Sequence, residues 1–199
     1  MQTRWQRERK REYYYKRAKK EGFRARSSYK LLQIDKIYHI FKNSSIILDL
    51  GCAPGGWLQV CKQKAKNAFI LGIDLESIQG ISGVEFIQGD ITKEGDLNKI
   101  RNKLQDKADL ILSDCSPSVS GVWSIDHARQ LDLVKSAYKI SIDLLKNKGI
   151  FVCKIFQGED FNEFIKEIKA HFSFLALYKP EASRKKSSEI YVVAKNLKN

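Results

Sequence analysis

The stretch that most constrains this chain is an apolar run, Ile46 to Leu50, that breaks into a glycine-rich turn, Gly51-Cys52-Ala53-Pro54-Gly55-Gly56-Trp57. The run reads as a buried strand, and Trp57 to Lys66 is compatible with a helix. Glycine suits such a turn because it reaches positive φ and lets a ligand approach the backbone with no Cβ in the way. Strand, glycine turn and helix in that order place the ligand at the carboxyl edge of an α/β sheet. Two familiar cradles are excluded by the letters. No G-x-x-x-x-G-K-[ST] occurs, and Cys52, Ala53 and Pro54 interrupt any G-x-G-x-x-G.

The rest of the chain alternates in the same way. Phe69–Asp74, Val84–Gln88, Ala108–Asp114, Gly149–Ile155, Phe172–Leu177 and Glu189–Ala194 read as strands. Gly95–Leu104, Asp126–Leu145 and Asp160–Ala170 read as helices between them. Ahead of the first strand, Ser27–Phe41 is amphipathic at helical spacing. This pattern predicts an open, mostly parallel sheet of seven strands with helices on both faces. The last two strands have no long helix between them, so the final strand is expected antiparallel.

At 199 residues the chain suits one ordinary domain with a sizeable core. No apolar stretch approaches the roughly 18 residues needed to span a bilayer, and the N-terminus lacks an apolar signal core. A soluble, cytoplasmic protein is the expectation, with no membrane association and no obligatory protein partner. Cys52, Cys61, Cys115 and Cys153 form no C-x-x-C pair, so buried free thiols are expected and no metal site. Charge is distributed unevenly. Residues 1–30 hold 12 Lys or Arg against Glu8, Glu12 and Glu21, so nine of the net +13 charges lie there. A basic arm interleaved with Trp5, Tyr13, Tyr14 and Tyr15 points to nucleic acid. It lacks the continuous apolar face that a lipid surface requires. The arm is expected to dominate affinity for that polyanion, and the chain divides into a basic helical extension, 1–42, and the sheet domain, 43–199.

Three strands end in or near aspartate: Asp74, Asp90 and Asp114. Strand carboxyl ends line the ligand crevice of such a sheet, and Asp74 follows Gly51 at about the interval at which an acidic residue meets a ribose hydroxyl. A nucleoside-bearing ligand is therefore expected. Lys154 lies inside the apolar run Phe151 to Phe156, where a lysine is unfavourable unless paired or functional. Glu189 likewise opens the apolar Ile190-Tyr191-Val192-Val193.

The loop pattern D-x-G-x-x-P-G-G-W resembles that of FtsJ-type RNA ribose 2′-O-methyltransferases. So do four further blocks: Arg26–Leu31, Ser113–Gly121, Val152–Gly158 and Ser183–Tyr191. The resemblance implies the Rossmann-like fold of class I S-adenosylmethionine-dependent methyltransferases. It assigns cofactor contacts to Gly55, Trp57, Asp74, Asp90 and Asp114, and a catalytic tetrad to Lys30, Asp114, Lys154 and Glu189. Within that scheme Lys154 accepts the 2′-hydroxyl proton or, as an ammonium, orients the hydroxyl and steadies the developing alkoxide. The Gly51–Trp57 loop and the segment Ser120–Arg129 resemble the archaeal-type enzymes acting on a uridine ribose of large-subunit ribosomal RNA. The resemblance thus implies ribosomal RNA, or the large ribosomal subunit, as partner. Cys52, Cys115 and Ser118 depart from the commoner family residues. A tRNA ribose methyltransferase is the alternative substrate reading. A non-catalytic RNA-binding protein is the alternative from another class, and the complete tetrad speaks against it.

Overall fold

The computed structural model describes residues 13–118, 120–184 and 187–198. Helix α1 covers the described residues 13–20, and α2 runs Ser28–Tyr38. Strand β1 (Ile46–Leu50) and helix α3 (Gly56–Lys64) flank the glycine loop. They are followed by β2 (Phe69–Asp74), β3 (Glu85–Gln88), α4 (Glu94–Lys103) and β4 (Ala108–Ser113). The C-terminal half contains α5 (Trp123–Leu144), β5 (Leu145–Phe156), α6 (Phe161–His171), β6 (Phe172–Tyr178) and β7 (Glu189–Leu197).

The seven strands form one sheet in the order β3-β2-β1-β4-β5-β7-β6. Strands β1 to β5 pair in parallel, and β7 inserts antiparallel between β5 and β6. Side chains alternate between faces along a strand, and this alternation creates two cores. Leu48, Leu50, Ile111, Phe151, Cys153, Val192 and Ala194 pack beneath α4, α5 and α6. Ile47, Leu110, Leu112, Val152, Tyr191 and Val193 pack beneath α2 and α3. The parity that puts Leu112 and Val152 on the second face puts Asp114 and Lys154 there too.

Four boundaries shift by three residues or more from the sequence reading. Helix α2 ends at Tyr38, three residues short of Phe41, where His39 takes φ 50°. Helix α5 begins three residues earlier than predicted, because Asp126 sits in its first turn and accepts N–H bonds from Ser120 and Gly121. Strand β5 starts at Leu145, four residues before the predicted Gly149, and Asn147-Lys148-Gly149, a segment whose residue types read as a helix stop, becomes an irregularity inside it. Lys148 takes φ 66°, and the β4–β5 register shifts between Ala108 and Leu110. Strand β7 runs on to Leu197, held by pairing with Phe172 of β6.

Leu31 and Ile34 of α2, with Ile40 and Phe41, lie in one core with β1, β4 and β7, so α2 packs directly on the sheet. Tyr14 and Ala18 of α1 pack on Tyr29 and Ala182. Trp5 and the other residues of the arm up to 12 lie outside the described residues, as do Lys185 and Lys186 of the last block.

Candidate active site

The four residues that the sequence singled out converge at the carboxyl edge of the sheet. Lys154 is 5% exposed, and its Nζ lies 3.1 Å from Asp114 Oδ1. It also donates to the Asp114 backbone carbonyl at 2.7 Å and to Ser116 Oγ at 2.5 Å. Lys30, on the inward side of α2 and 6% exposed, pairs with Glu189 Oε1 at 2.7 Å. The antiparallel β7 is what makes this possible: its first residue stands beside the last of β5, with Glu189 opposite Phe156 and Tyr191 opposite Lys154.

Tyr191 joins the two ion pairs. Its hydroxyl donates to Asp114 Oδ1 at 2.7 Å and accepts from Lys30 Nζ at 3.1 Å. The result is one chain of contacts, Lys154–Asp114–Tyr191–Lys30–Glu189. Tyr191 was read from sequence only as strand interior. Its signal was available: parity with Glu189 on one strand puts both on the Lys154 face. Burial pushes the Tyr191 hydroxyl well above its ordinary pKa, and the negative charges of Asp114 and Glu189 push it further, so it remains a donor. Burial also opposes ionisation of Asp114. The ammonium groups of Lys154 and Lys30 and the Tyr191 hydroxyl outweigh it and hold the carboxyl below its ordinary value.

Beside this chain opens a cleft of about 270 Å³ lined by Gly51, Ala53, Asp74, Asp90, Asp114 and Ser116, among others. Asp74 stands at the end of β2 and accepts N–H bonds from Ala53 at 2.8 Å and Glu76 at 2.9 Å. That fixes both oxygens while leaving lone pairs for hydroxyl donors. Asp90 accepts from the Thr92 N–H and hydroxyl. The cleft thus has carboxylates at successive strand ends, an acceptor set suited to ribose hydroxyl and amine donors. This fits the nucleoside-type ligand expected of Asp74, Asp90 and Asp114.

Gly55 and Trp57 do not line this cleft. Trp57 is buried, and its indole N–H donates to the Ser27 carbonyl at 3.0 Å. What these two positions offer a ligand is backbone, including N–H groups of the first turn of α3 that have no intrahelical partner. The loop's position is held by the Trp57 indole and by side chains from the segment leading into and beginning α2. Ser28 Oγ donates to the Gly56 carbonyl, and Arg24 donates to the carbonyls of Pro54 and Gly80. Arg24 and Ser28 were not singled out from sequence, where Arg24 looked like one more basic residue of the arm. In the fold it clasps the glycine loop to the β2–β3 connection.

Asp49, on the α2/α3 face of β1, is fully buried, and neither carboxyl oxygen has a hydrogen-bond partner. Burial, with Asp114 and Asp74 nearby, pushes its pKa well above the ordinary value and favours the neutral acid beneath the loop. The four cysteines are free thiols. Burial raises the Cys115 thiol to about 11, and the others are raised more strongly. Among the described residues no group of three or more His, Cys, Asp or Glu is placed to hold a metal ion. No helix among them is long and apolar enough to cross a membrane.

Comparison with known proteins agrees with this geometry. A protein named ribosomal RNA large subunit methyltransferase E from Methanothrix thermoacetophila is 48% identical over 186 residues, 94% of this chain and 72% of its own length. The protein of the same name from Archaeoglobus fulgidus is 42% identical over 187 residues, covering 94% of this chain and 96% of its own. A crystal structure described as a ribosomal RNA methyltransferase of Plasmodium falciparum superposes with TM-score 0.80 at 33% identity, over 88% of this chain and 98% of that one. The profile of the FtsJ-like methyltransferases matches residues 23–197. The chain belongs to the FtsJ-like methyltransferase family, whose members require a methyl donor.

Proposed function

We propose that the protein methylates the ribose 2′-hydroxyl of a uridine in large-subunit ribosomal RNA, with S-adenosylmethionine as methyl donor. The observation that carries this reading is the Lys154–Asp114–Tyr191–Lys30–Glu189 chain at the mouth of a carboxylate-lined cleft. When bound, S-adenosylmethionine supplies an electrophilic methyl carbon on a sulfonium. Asp74 and Asp90 would hold its nucleoside portion, and Asp114 would face its methionine end. The first-turn N–H groups of α3, at Gly56 and Trp57, suit an anionic group such as the methionine carboxylate.

The chain's own residues do the rest by positioning. Lys154 Nζ is fixed by three acceptors, and a 2′-hydroxyl placed at the cleft mouth would meet it. There Lys154, as a neutral amine, takes the hydroxyl proton and becomes the ammonium while the oxygen bonds the methyl carbon and the sulfonium leaves as the thioether; as an ammonium from the start it instead donates to the oxygen and steadies the developing alkoxide, the proton passing to solvent. Asp114 keeps the ammonium aimed. Lys30 and Glu189, fixed through Tyr191, hold the ribose at the mouth of the cleft. The basic arm of residues 1–30 supplies the electrostatic attraction for the polyanion. The names of the archaeal relatives favour large-subunit RNA over tRNA.

The test is to incubate the protein and S-adenosylmethionine with undermethylated large-subunit RNA and map the product by alkaline hydrolysis. A 2′-O-methyl group protects the adjacent phosphodiester. One protected uridine is the expected result. Methylation on a base, or only on tRNA, would contradict the reading.

A further inference from the structure

The described surface carries an apolar patch that the chemistry above leaves unused. It lies where the chain enters α5: Val122, Trp123 and Ile125 are 51%, 54% and 44% exposed. Trp123 is not loose. Its ring stacks on Phe156 with centroids 6.0 Å apart and planes at 21°, and it leans on His127 at 5.7 Å. The loop beneath it is stitched. Asp126 accepts from the Ser120 N–H and hydroxyl, both at 2.7 Å, and from the Gly121 N–H at 3.2 Å. Those bonds, the Ser120 backbone N–H first, hold the Asp126 carboxyl below its ordinary pKa. An indole fixed on one side and open on the other is a preorganised surface.

Its location gives it a function. Phe156 is two residues beyond Lys154 on β5, so both point to the same sheet face about 7 Å apart. Phe156 is also the direct β7-ladder neighbour of Glu189. The Trp123–Phe156 pair is therefore a shelf continuous with the rim of the tetrad. Single-stranded RNA is read by splaying bases onto such aromatic faces. Lys154 is 5% exposed, so a ribose that reaches it sits in a recess, an approach that suits an unpaired nucleotide.

We propose that Trp123, supported by Phe156, is the stacking platform for an unpaired nucleobase of the RNA substrate, at or next to the reacting nucleotide. This rests on the reading that the tetrad acts on an RNA ribose. The occupant is RNA because the patch adjoins that site and the chain carries +13 net charge. The indole stacks on any base, so the platform positions the strand and leaves sequence choice to other contacts.

The test compares wild type with Trp123→Ala and Trp123→Phe, measuring the Kd for an in vitro transcribed large-subunit RNA over a range of salt. Affinity for S-adenosylmethionine and the thermal midpoint are measured alongside. Loss of one base–aromatic stack lowers affinity by roughly tenfold or more. Trp123→Ala is expected to raise the RNA Kd by about that factor, with the salt slope unchanged because no charge is removed. Trp123→Phe should recover most of the loss, and cofactor affinity should not move. An RNA Kd within about twofold of wild type for Trp123→Ala would overturn the proposal. So would equal losses of RNA and cofactor affinity with a lowered midpoint, which would mark Trp123 as a scaffold residue. Binding is read without turnover. A wild type that binds the RNA, weakens on Trp123→Ala and transfers no methyl would contradict the reaction while leaving the platform in place.

Discussion

Tyr191 is the residue on which the site's geometry turns, because one hydroxyl holds Asp114 on one side and Lys30 on the other. Tyr191→Phe keeps the ring, and with it the packing against Trp57, and removes only those two bonds. Hydrogen bonds to charged groups contribute roughly 1.5–3 kcal/mol. The variant is expected to lose about that much stability in urea unfolding, and methyl transfer should fall at least tenfold while cofactor affinity is nearly unchanged. Asp49 makes a different prediction. Its folded-state pKa lies well above that of the unfolded chain, so the folded state holds a proton that the unfolded state loses first. The stability linked to this group is complete below the unfolded pKa of about 3.9 and falls as pH rises toward the folded value. Asp49→Asn cannot ionise. Its unfolding free energy relative to wild type should therefore climb with pH by up to about 1.4 kcal/mol per unit across that window. A difference that stays flat from acid to neutral pH would mean that Asp49 is ionised in the fold. Sequence reading found Lys154 because a lysine among apolar residues is conspicuous. It could not find Asp49 as a buried acid, since an aspartate beside a glycine turn looks the same whether it faces solvent or core.

At the scale of elements, the β1–α3 loop leaves little room for any added atom. Gly51 has φ 72°, and a Cβ built there would fall 2.3 Å from Cys115 Sγ. Two penalties are therefore stacked at one position, a left-handed backbone and a collision. Gly51→Ala should lose roughly 1–2 kcal/mol from the backbone alone, more from the clash, and much of its cofactor affinity. Adding Cys115→Ala removes the collision with Sγ, along with the Sγ bond to the Leu50 carbonyl, and leaves Cys115 Cα and Cβ at 3.2 and 3.3 Å, so the double variant should regain part of the stability in calorimetry and never all of it. Full recovery would show that φ is not a constraint there. The glycines of this loop were legible because the chemistry of a tight turn restricts residue type. The strand and helix interiors were legible from their apolar period. Less legible was how elements meet. The Asn147–Gly149 signal announced a turn, yet pairing with β4 absorbed it into β5. The packing of α2 into the sheet core was hidden because its amphipathic pattern looks the same on an appendage as on a core layer.

For the whole molecule, charge and fold are coupled through the segment that leads into α2. Composition cannot separate the roles of the basic residues there: Arg24 holds the glycine loop and Lys30 pairs with Glu189, while the others are proposed to meet the polyanion. Removing residues 1–12 takes away Arg4, Arg7, Arg9, Lys10 and Arg11 against Glu8 and Glu12, and spares the α1 and α2 contacts. RNA affinity should fall and the log Kd–log salt slope should become shallower by roughly 2–3, with the thermal midpoint little changed. An unaltered slope would remove this stretch from the interface. The fold itself predicts that everything converges on one lysine fixed by three acceptors at the mouth of the cleft. The most direct measurement is therefore transfer of tritiated methyl groups to undermethylated large-subunit RNA by Lys154→Met, with cofactor binding measured on the same preparation. The account predicts a folded protein that binds S-adenosylmethionine as wild type does and transfers no methyl. Turnover near the wild-type rate would contradict it.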